Sequence, residues 1–299
     1  MKRYSDESFK PVLEVGDLEV FALTDVVGRL PIPLRQTFPT VPEADWPVYR
    51  DLYPDTFWGP EGFQQGRLGP TVIRGRGRTI LVDTGIGPGA SALARRFGIT
   101  GELPARLEDA GVPPESIDMV FLTHLHPDHV GSNVRSESPE PFFPNARYVT
   151  HEVEWRYWSE LAAADPDAAE HVVTSVRPLA DLGVLDLVTG GDAVAAGITT
   201  LETFGHTPGH TSLVVEADGK RLLVLGDALA HPLQVAGPRH HSAMDQDPER
   251  ASATREMLVP LMTDERTITS AYHFPAPGLG HVADENGRRV WRPLELARA

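Results

Sequence analysis

Three histidines and one aspartate stand within six residues of the chain, at His124, His126, Asp128 and His129. They directly follow the apolar run 117–122, whose length and composition predict a buried strand. Alternate residues of an extended backbone point to the same side, so the first two histidines can face one ion. Neutral imidazole and carboxylate are the ligands that borderline divalent metals prefer. The spacing therefore predicts enough donors at a strand end to begin two metal sites.

Further candidate ligands follow other predicted strands. His210 comes after a glycine-containing turn, Asp227 ends an apolar run, and His273 ends a late run of alternating residues. Loops at strand ends are where a rigid scaffold presents catalytic groups. We therefore expect these side chains to converge on the first cluster.

The order and spacing of these motifs resemble the metallo-β-lactamase fold superfamily. The motifs that carry the resemblance are H-x-H-x-D-H at 124–129, G-H-T at 209–211, G-D at 226–227, His273 and L-V-D-T-G at 81–85. The resemblance spans roughly residues 18 to 295, in agreement with a single domain over residues 1–299. It implies an α/β fold, a four-layer αββα sandwich.

The resemblance also implies a centre for two divalent metal ions. The ligand set that it implies consists of His124, His126 and His210 for one ion, Asp128, His129 and His273 for the other, and Asp227 as the bridge. Asp83 would lie behind the ligands and orient one imidazole, or else be only a strand-end turn residue. Zinc suits these donors, and manganese, iron and cobalt also fit them.

Two adjacent cations share a water and lower its pKa, and the resulting hydroxide attacks a carbonyl or phosphoryl centre. Asp128 or Asp227 would then pass a proton to the leaving group. The chain contains no cysteine, which excludes a thiol nucleophile, a disulfide and a cysteine-ligated zinc site.

The segment H-F-P-A-P-G-L-G-H at 273–281 resembles the branch that contains methyl parathion hydrolase and related acyl-homoserine lactonases. This branch implies a lactonase that opens N-acyl homoserine lactones, the reaction of quorum quenching. The alternative is an organophosphate triesterase or arylesterase of the methyl parathion hydrolase type. A glyoxalase II-like thioesterase, a mononuclear-iron persulfide dioxygenase and a non-catalytic metal-binding protein stay open behind these two.

One position departs from the pattern of the smaller lactonases, which carry a tyrosine three residues after the bridging aspartate. That position is Ala230 here. The next residue, His231, stays close to Asp227 in sequence. We predict either a substrate-pocket role or a purely structural role for His231.

Composition narrows the choice of substrate. The chain has 299 residues, with 42 acidic and 27 basic side chains, and a net charge of −15. That charge repels phosphate backbones and favours a small-molecule substrate over nucleic acid. The first seven residues form no apolar signal region, and no stretch approaches ~20 apolar residues, so we expect a cytoplasmic protein without a membrane span.

Residues 28–70 form an arm rich in proline and aromatic residues, which is too long for a simple connection. One hypothesis is a wall or lid over the active site, or a surface that packs on a second subunit. The other is irregular structure that covers the core. A homodimer is compatible with the arm and with the resemblance. Helices are predicted over 90–97 and 102–110.

Overall fold

The computed structural model describes residues 12–88, 95, 98–136 and 138–295. The helix predicted over 90–97 therefore lies almost wholly outside the described residues. Within them the chain forms two seven-stranded sheets and one three-stranded sheet.

The first sheet combines an antiparallel half with a parallel half. In spatial order its strands are β1 (Val12–Val15), β2 (Leu18–Ala22), β6 (Thr71–Gly75), β7 (Arg78–Val82), β8 (Met119–Phe121), β9 (Arg147–His151) and β10 (Leu185–Val188). The pairs from β7 to β10 are parallel, and the pairs from β1 to β7 are antiparallel. Parallel strands are covered on both faces, which explains why residues 119–122 are all apolar.

The second sheet is antiparallel except for one central pair. In spatial order its strands are β11 (Ala193–Ala195), β12 (Ile198–Glu202), β13 (Thr211–Ala217), β14 (Lys220–Val224), β15 (Thr267–Ser270), β16 (Leu279–Glu285) and β17 (Arg288–Pro293). The parallel pair is β14 with β15. These two neighbouring strands therefore end at the same edge of the sheet, where Asp227 and His273 follow them.

Helices connect and cover the sheets. The α-helices of the described residues are α1 (Leu34–Thr37), α2 (Trp46–Leu52), α3 (Leu103–Asp109), α4 (Pro127–Val130), α5 (Glu152–Ala164), α6 (Glu170–Ser175), α7 (Arg177–Asp181), α8 (Leu233–Ala236) and α9 (Pro248–Met262). Short 3₁₀ turns occur at Glu43–Asp45, Pro54–Thr56 and Pro114–Ser116. No helix among these is both long enough and apolar enough to cross a lipid bilayer.

Three apolar layers hold the sandwich together. Between the sheets, residues such as Ile80 and Phe121 of the first sheet pack against Leu213 and Leu222 of the second. On the outer face of the first sheet lie α3 and the helices α5 to α7, and on the outer face of the second lies α9. The predicted αββα sandwich is therefore confirmed.

The arm is regular rather than irregular. Its strands β3 (Val26–Pro33), β4 (Phe57–Trp58) and β5 (Phe63–Leu68) form the three-stranded sheet, in the order β3-β5-β4. An aromatic cluster of α1, α2 and the following turns packs against Leu233 and Val290. The arm therefore lies against the segment that follows Asp227.

Candidate metal centre

The candidate donors all lie in loops that leave strand ends. His124 and His126 follow β8, and α4 begins at Pro127 and carries the next two donors. A backbone hydrogen bond from Thr211 to the carbonyl of Thr123 connects the first loop to a second loop, which contains the motif G-H-T-P-G-H at 205–210. The two sheets thus bring their loops together at one edge of the sandwich.

Three histidine rings form the first group of donors. Nitrogen atoms of His124, His126 and His206 all lie within 4.8 Å of one another. The Nδ1 atom of His126 is 3.1 Å from Nε2 of His124 and 3.0 Å from Nε2 of His206. Three inward-facing nitrogens at this spacing match the donor set of a divalent metal.

The predicted third ligand, His210, does not join this group. Its Nε2 atom accepts a hydrogen bond from the backbone N–H of Asp227 at 2.9 Å, and its Nδ1 atom lies 2.8 Å from the hydroxyl of Thr203. Both ring nitrogens are therefore engaged with the protein. The structure therefore places His206, rather than His210, beside His124 and His126 in the first candidate group, and His210 supports the backbone of Asp227.

The sequence did not distinguish these two histidines, because each follows a glycine in the same short motif. The two rings differ in their hydrogen-bond partners, which lie far away in the chain. His206 Nδ1 lies 3.2 Å from Oδ1 of Asp245, which leaves its Nε2 atom facing the other histidines. Asp245 itself is held by Arg255 at 3.1 Å.

Asp128, His129 and His273 form the second group, with one donor atom of each within 4.8 Å of the others. Asp227 lies between the two groups. Its Oδ1 atom is 3.4 Å from Nε2 of His129, while its Oδ2 atom is 3.0 Å from Nε2 of His273 and 3.5 Å from Nε2 of His206. This is the position that a bridging carboxylate requires.

Hydrogen bonds behind the ligands fix the orientation of the rings. Oδ2 of Asp83 lies 2.8 Å from Nδ1 of His129, and Oδ1 accepts a hydrogen bond from the backbone of Thr123. The carbonyl of Arg67 lies 3.0 Å from Nδ1 of His273. Such partners select the imidazole tautomer and leave the other nitrogen free to bind a cation. Asp83 therefore orients the imidazole of His129, which is the first of the two roles predicted for it.

Burial and neighbouring charges set the protonation of these groups. Burial and the neighbouring histidines lower the pKa values of His124 and His126 well below the ordinary value, so both rings are neutral at pH 7. Burial opposes the ionisation of Asp227, but His273 and His129 outweigh it and hold the pKa of Asp227 well below its usual range. The carboxylate is therefore charged and the first two rings have free electron pairs.

Two buried atoms at the centre have no hydrogen-bond partner, Nε2 of His129 and Oδ1 of Asp227. Buried polar atoms are nearly always paired, so a ring nitrogen and a carboxylate oxygen that face each other at 3.4 Å without a hydrogen bond need an explanation. A cation between the two groups would satisfy both. The orphaned atoms and the His/Asp donor set thus fit a pair of divalent metal ions.

Tyr272 belongs to the centre, although the sequence did not single it out. Its hydroxyl donates a hydrogen bond to the carbonyl of Asp128 at 2.5 Å, and its ring stacks on His129 at 4.0 Å between centroids. The sequence signal that could have identified Tyr272 was its position next to His273. Tyr272 therefore helps to hold the second group of donors.

His231 lies beside the arm. Its ring is buried among Phe38, Tyr53 and Phe57, at centroid distances of 5.6, 6.2 and 6.4 Å, and its Nδ1 atom accepts a hydrogen bond from the backbone of Leu233. Burial lowers its pKa to about 3. These contacts support the structural role rather than the substrate-pocket role. His231 joins the arm to the loop after Asp227.

Comparison with known proteins identifies relatives of the same architecture. The family model of the Metallo-beta-lactamase superfamily matches residues 70–266. An N-acyl homoserine lactonase from a Bacillus species is 28% identical over an alignment 152 residues long, which covers 46% of this chain and 54% of the lactonase. N-acyl homoserine lactonase AiiB from Agrobacterium fabrum is 27% identical over an alignment 168 residues long, which covers 50% of this chain and 58% of AiiB. The chain thus spans little more than half the length of these relatives.

Solved structures match over almost the whole chain. Hydrolase AbOPH of the beta lactamase superfamily superimposes with a TM-score of 0.83 at 24% identity, covering 98% of this chain and 100% of AbOPH. AidC, a dizinc quorum-quenching lactonase in complex with a product, gives a TM-score of 0.81 at 22% identity, covering 97% of this chain and 98% of AidC. At these identities the likeness establishes the fold.

Proposed function

The chain belongs to the metallo-beta-lactamase superfamily, and from this membership and the geometry of the metal centre we propose that it is a dinuclear metal-dependent hydrolase. His124, His126 and His206 would hold one ion, Asp128, His129 and His273 would hold the other, and Asp227 would offer an oxygen to each. The observation that carries the proposal is the position of Asp227, whose two oxygens each lie against a histidine of a different ion's set. We propose zinc as the metal, because it suits imidazole and carboxylate donors.

Two divalent cations at this centre would supply an acidified water and would polarise the oxygen of the substrate's electrophilic group. The protein residues orient the reaction and move the proton. Asp128 is 21% exposed on its side chain, whereas Asp227 is 6% exposed, so Asp128 lies on the open side of the centre. We assign to Asp128 the transfer of a proton to the leaving oxygen, and to Asp227 the fixed spacing of the two ions.

The proposed substrate is an N-acyl homoserine lactone, whose ester bond is opened. Support comes from the lactonase relatives, from AidC among the solved structures, and from the motif at 273–281. The net charge of −15 favours an uncharged substrate of this kind over a polyanion. The same motif also resembles methyl parathion hydrolase, so a phosphotriesterase or arylesterase activity is the second candidate.

Proton release in a pH-stat tests the proposal. Zinc-loaded protein is assayed on an N-acyl homoserine lactone, an aryl ester and an organophosphate triester, with protein stripped by EDTA as the control. We expect metal-dependent proton release that is fastest on the lactone. Faster turnover of the triester or the aryl ester would make the second candidate the function. Absence of metal-dependent turnover on all three substrates would refute the proposed hydrolase.

A further inference from the structure

A buried carboxylate forms hydrogen bonds with the loops that carry the three-histidine group, and not with the rings themselves. Glu154, on the first turns of α5, has no solvent exposure. No cationic side chain pairs with it among the hydrogen bonds and ion pairs of the described residues. An unpaired carboxylate in an apolar layer is costly unless hydrogen bonds satisfy both of its oxygens. Burial accordingly raises the pKa of Glu154 above its ordinary value.

Four hydrogen bonds satisfy the two oxygens of Glu154, three of them from the two ligand loops and one from Trp158 on the same helix. Oε1 accepts from the backbone N–H of Leu125 at 2.9 Å and from the indole of Trp158 at 2.7 Å. Oε2 accepts from the hydroxyl of Thr207 at 2.7 Å and from the backbone N–H of Gly209 at 2.9 Å. One oxygen therefore holds the loop of the first two histidines, and the other holds the loop of the third.

Two of the partners of Glu154 are immediate neighbours of the candidate ligands. Leu125 stands between His124 and His126, and Thr207 directly follows His206. Gly209 packs so closely on α5 that an added Cβ would lie 2.2 Å from the backbone nitrogen of Glu154. The loops thus have little freedom to move relative to this carboxylate.

We propose that Glu154 is the positioning residue that sets the distance between the H-x-H loop and the His206 loop, and thereby the affinity of the three-histidine ion. The proposal rests on the metal centre of the proposed function. Residues that orient ligands without binding the metal typically change metal affinity by about 10- to 100-fold when replaced. The second ion, held from α4 and the end of β15, has none of these hydrogen bonds and keeps its affinity.

The test is a zinc titration against a chromogenic chelator with Glu154→Gln, which replaces one acceptor oxygen by an NH₂ group. In either orientation that NH₂ group faces a backbone N–H, of Leu125 or of Gly209, so one side of the link is broken. Glu160→Gln is the matched control, because Glu160 is exposed on the same helix. Thr207→Val is the second variant, because it removes a single hydrogen bond and leaves Glu154 in place. His206→Ala identifies which step of the titration belongs to the three-histidine ion.

We expect Glu154→Gln to weaken that step by about 10- to 100-fold and Thr207→Val to weaken it by a smaller factor, with the other step unchanged. Glu160→Gln should titrate like the wild type. Equal affinities in wild type and both test variants would overturn the proposal. Equal weakening of both steps would also overturn it, because a general loss of structure would then explain the effect. The readout is zinc affinity, so a wild type that binds zinc but hydrolyses nothing would refute only the proposed function.

Discussion

Replacing His206 or His210 by alanine should have two different consequences. His206 supplies one of three nitrogens to an ion, so His206→Ala leaves two. We expect that ion to bind more than about 100-fold more weakly, because even an outer partner of a ligand changes affinity by about 10- to 100-fold. His210→Ala should leave both ions bound. It removes the acceptor of the buried N–H of Asp227, which costs about 1–3 kcal/mol of unfolding free energy.

Metal analysis and denaturant unfolding separate the two effects. After dialysis, zinc per chain should fall from two equivalents to one in His206→Ala and stay at two in His210→Ala. Urea unfolding of the metal-free proteins should show the larger loss of stability in His210→Ala. Loss of an ion in His210→Ala, with two ions retained in His206→Ala, would restore the assignment predicted from the sequence and refute our reasoning.

Three further changes test the site and its support. Asp227→Asn should reduce turnover by orders of magnitude and weaken the binding of both ions, because Asp227 contacts histidines of both groups. The rate of proton release and the metal content per chain measure these two effects. Arg67→Met should selectively weaken the binding of the second ion, because the buried Arg67 guanidinium donates hydrogen bonds to the carbonyls of Ala271 and Tyr272, just before His273. The chelator titration measures this affinity. Asp25→Asn should flatten the dependence of stability on pH. Burial raises the pKa of Asp25 to about 6, against about 3.9 in the unfolded chain. The folded state then retains a proton between pH 4 and 6 that the unfolded state has lost, so stability falls as pH rises through this window. The advantage of the wild type over Asp25→Asn should shrink by up to about 3 kcal/mol from pH 4 to pH 6, measured by urea unfolding.

Each of these expectations has a contrary outcome. Two tightly bound ions and near-wild-type turnover in Asp227→Asn would remove the bridge. Equal weakening of both ions in Arg67→Met would mean that Arg67 acts on the whole fold. A constant difference in stability between wild type and Asp25→Asn across pH 4 to 6 would mean that Asp25 does not titrate there.

The sequence predicted the elements whose signals are local. The apolar run before His124, which forms β8, and the helix predicted over 102–110, which forms α3, are examples. Clustering of the donors at one edge followed from the alternation of strands and loops.

The features of the site that the sequence did not predict depend on residues that are distant in the chain. His206 and His210 differ through Asp245 and through the backbone of Asp227, and neither contact is visible in the spacing of the motif. In the sequence, nothing distinguishes Glu154 from the other polar residues of its helix. Its role depends on how α5 packs against two loops, and tertiary packing of this kind has no local signature.

The zinc content of the purified protein, compared with that of Asp227→Asn, tests the central claim most directly. Two equivalents per chain in the wild type, and a loss of tight binding in the variant, are what the dinuclear centre predicts. One equivalent or none in zinc-loaded wild-type protein would contradict it.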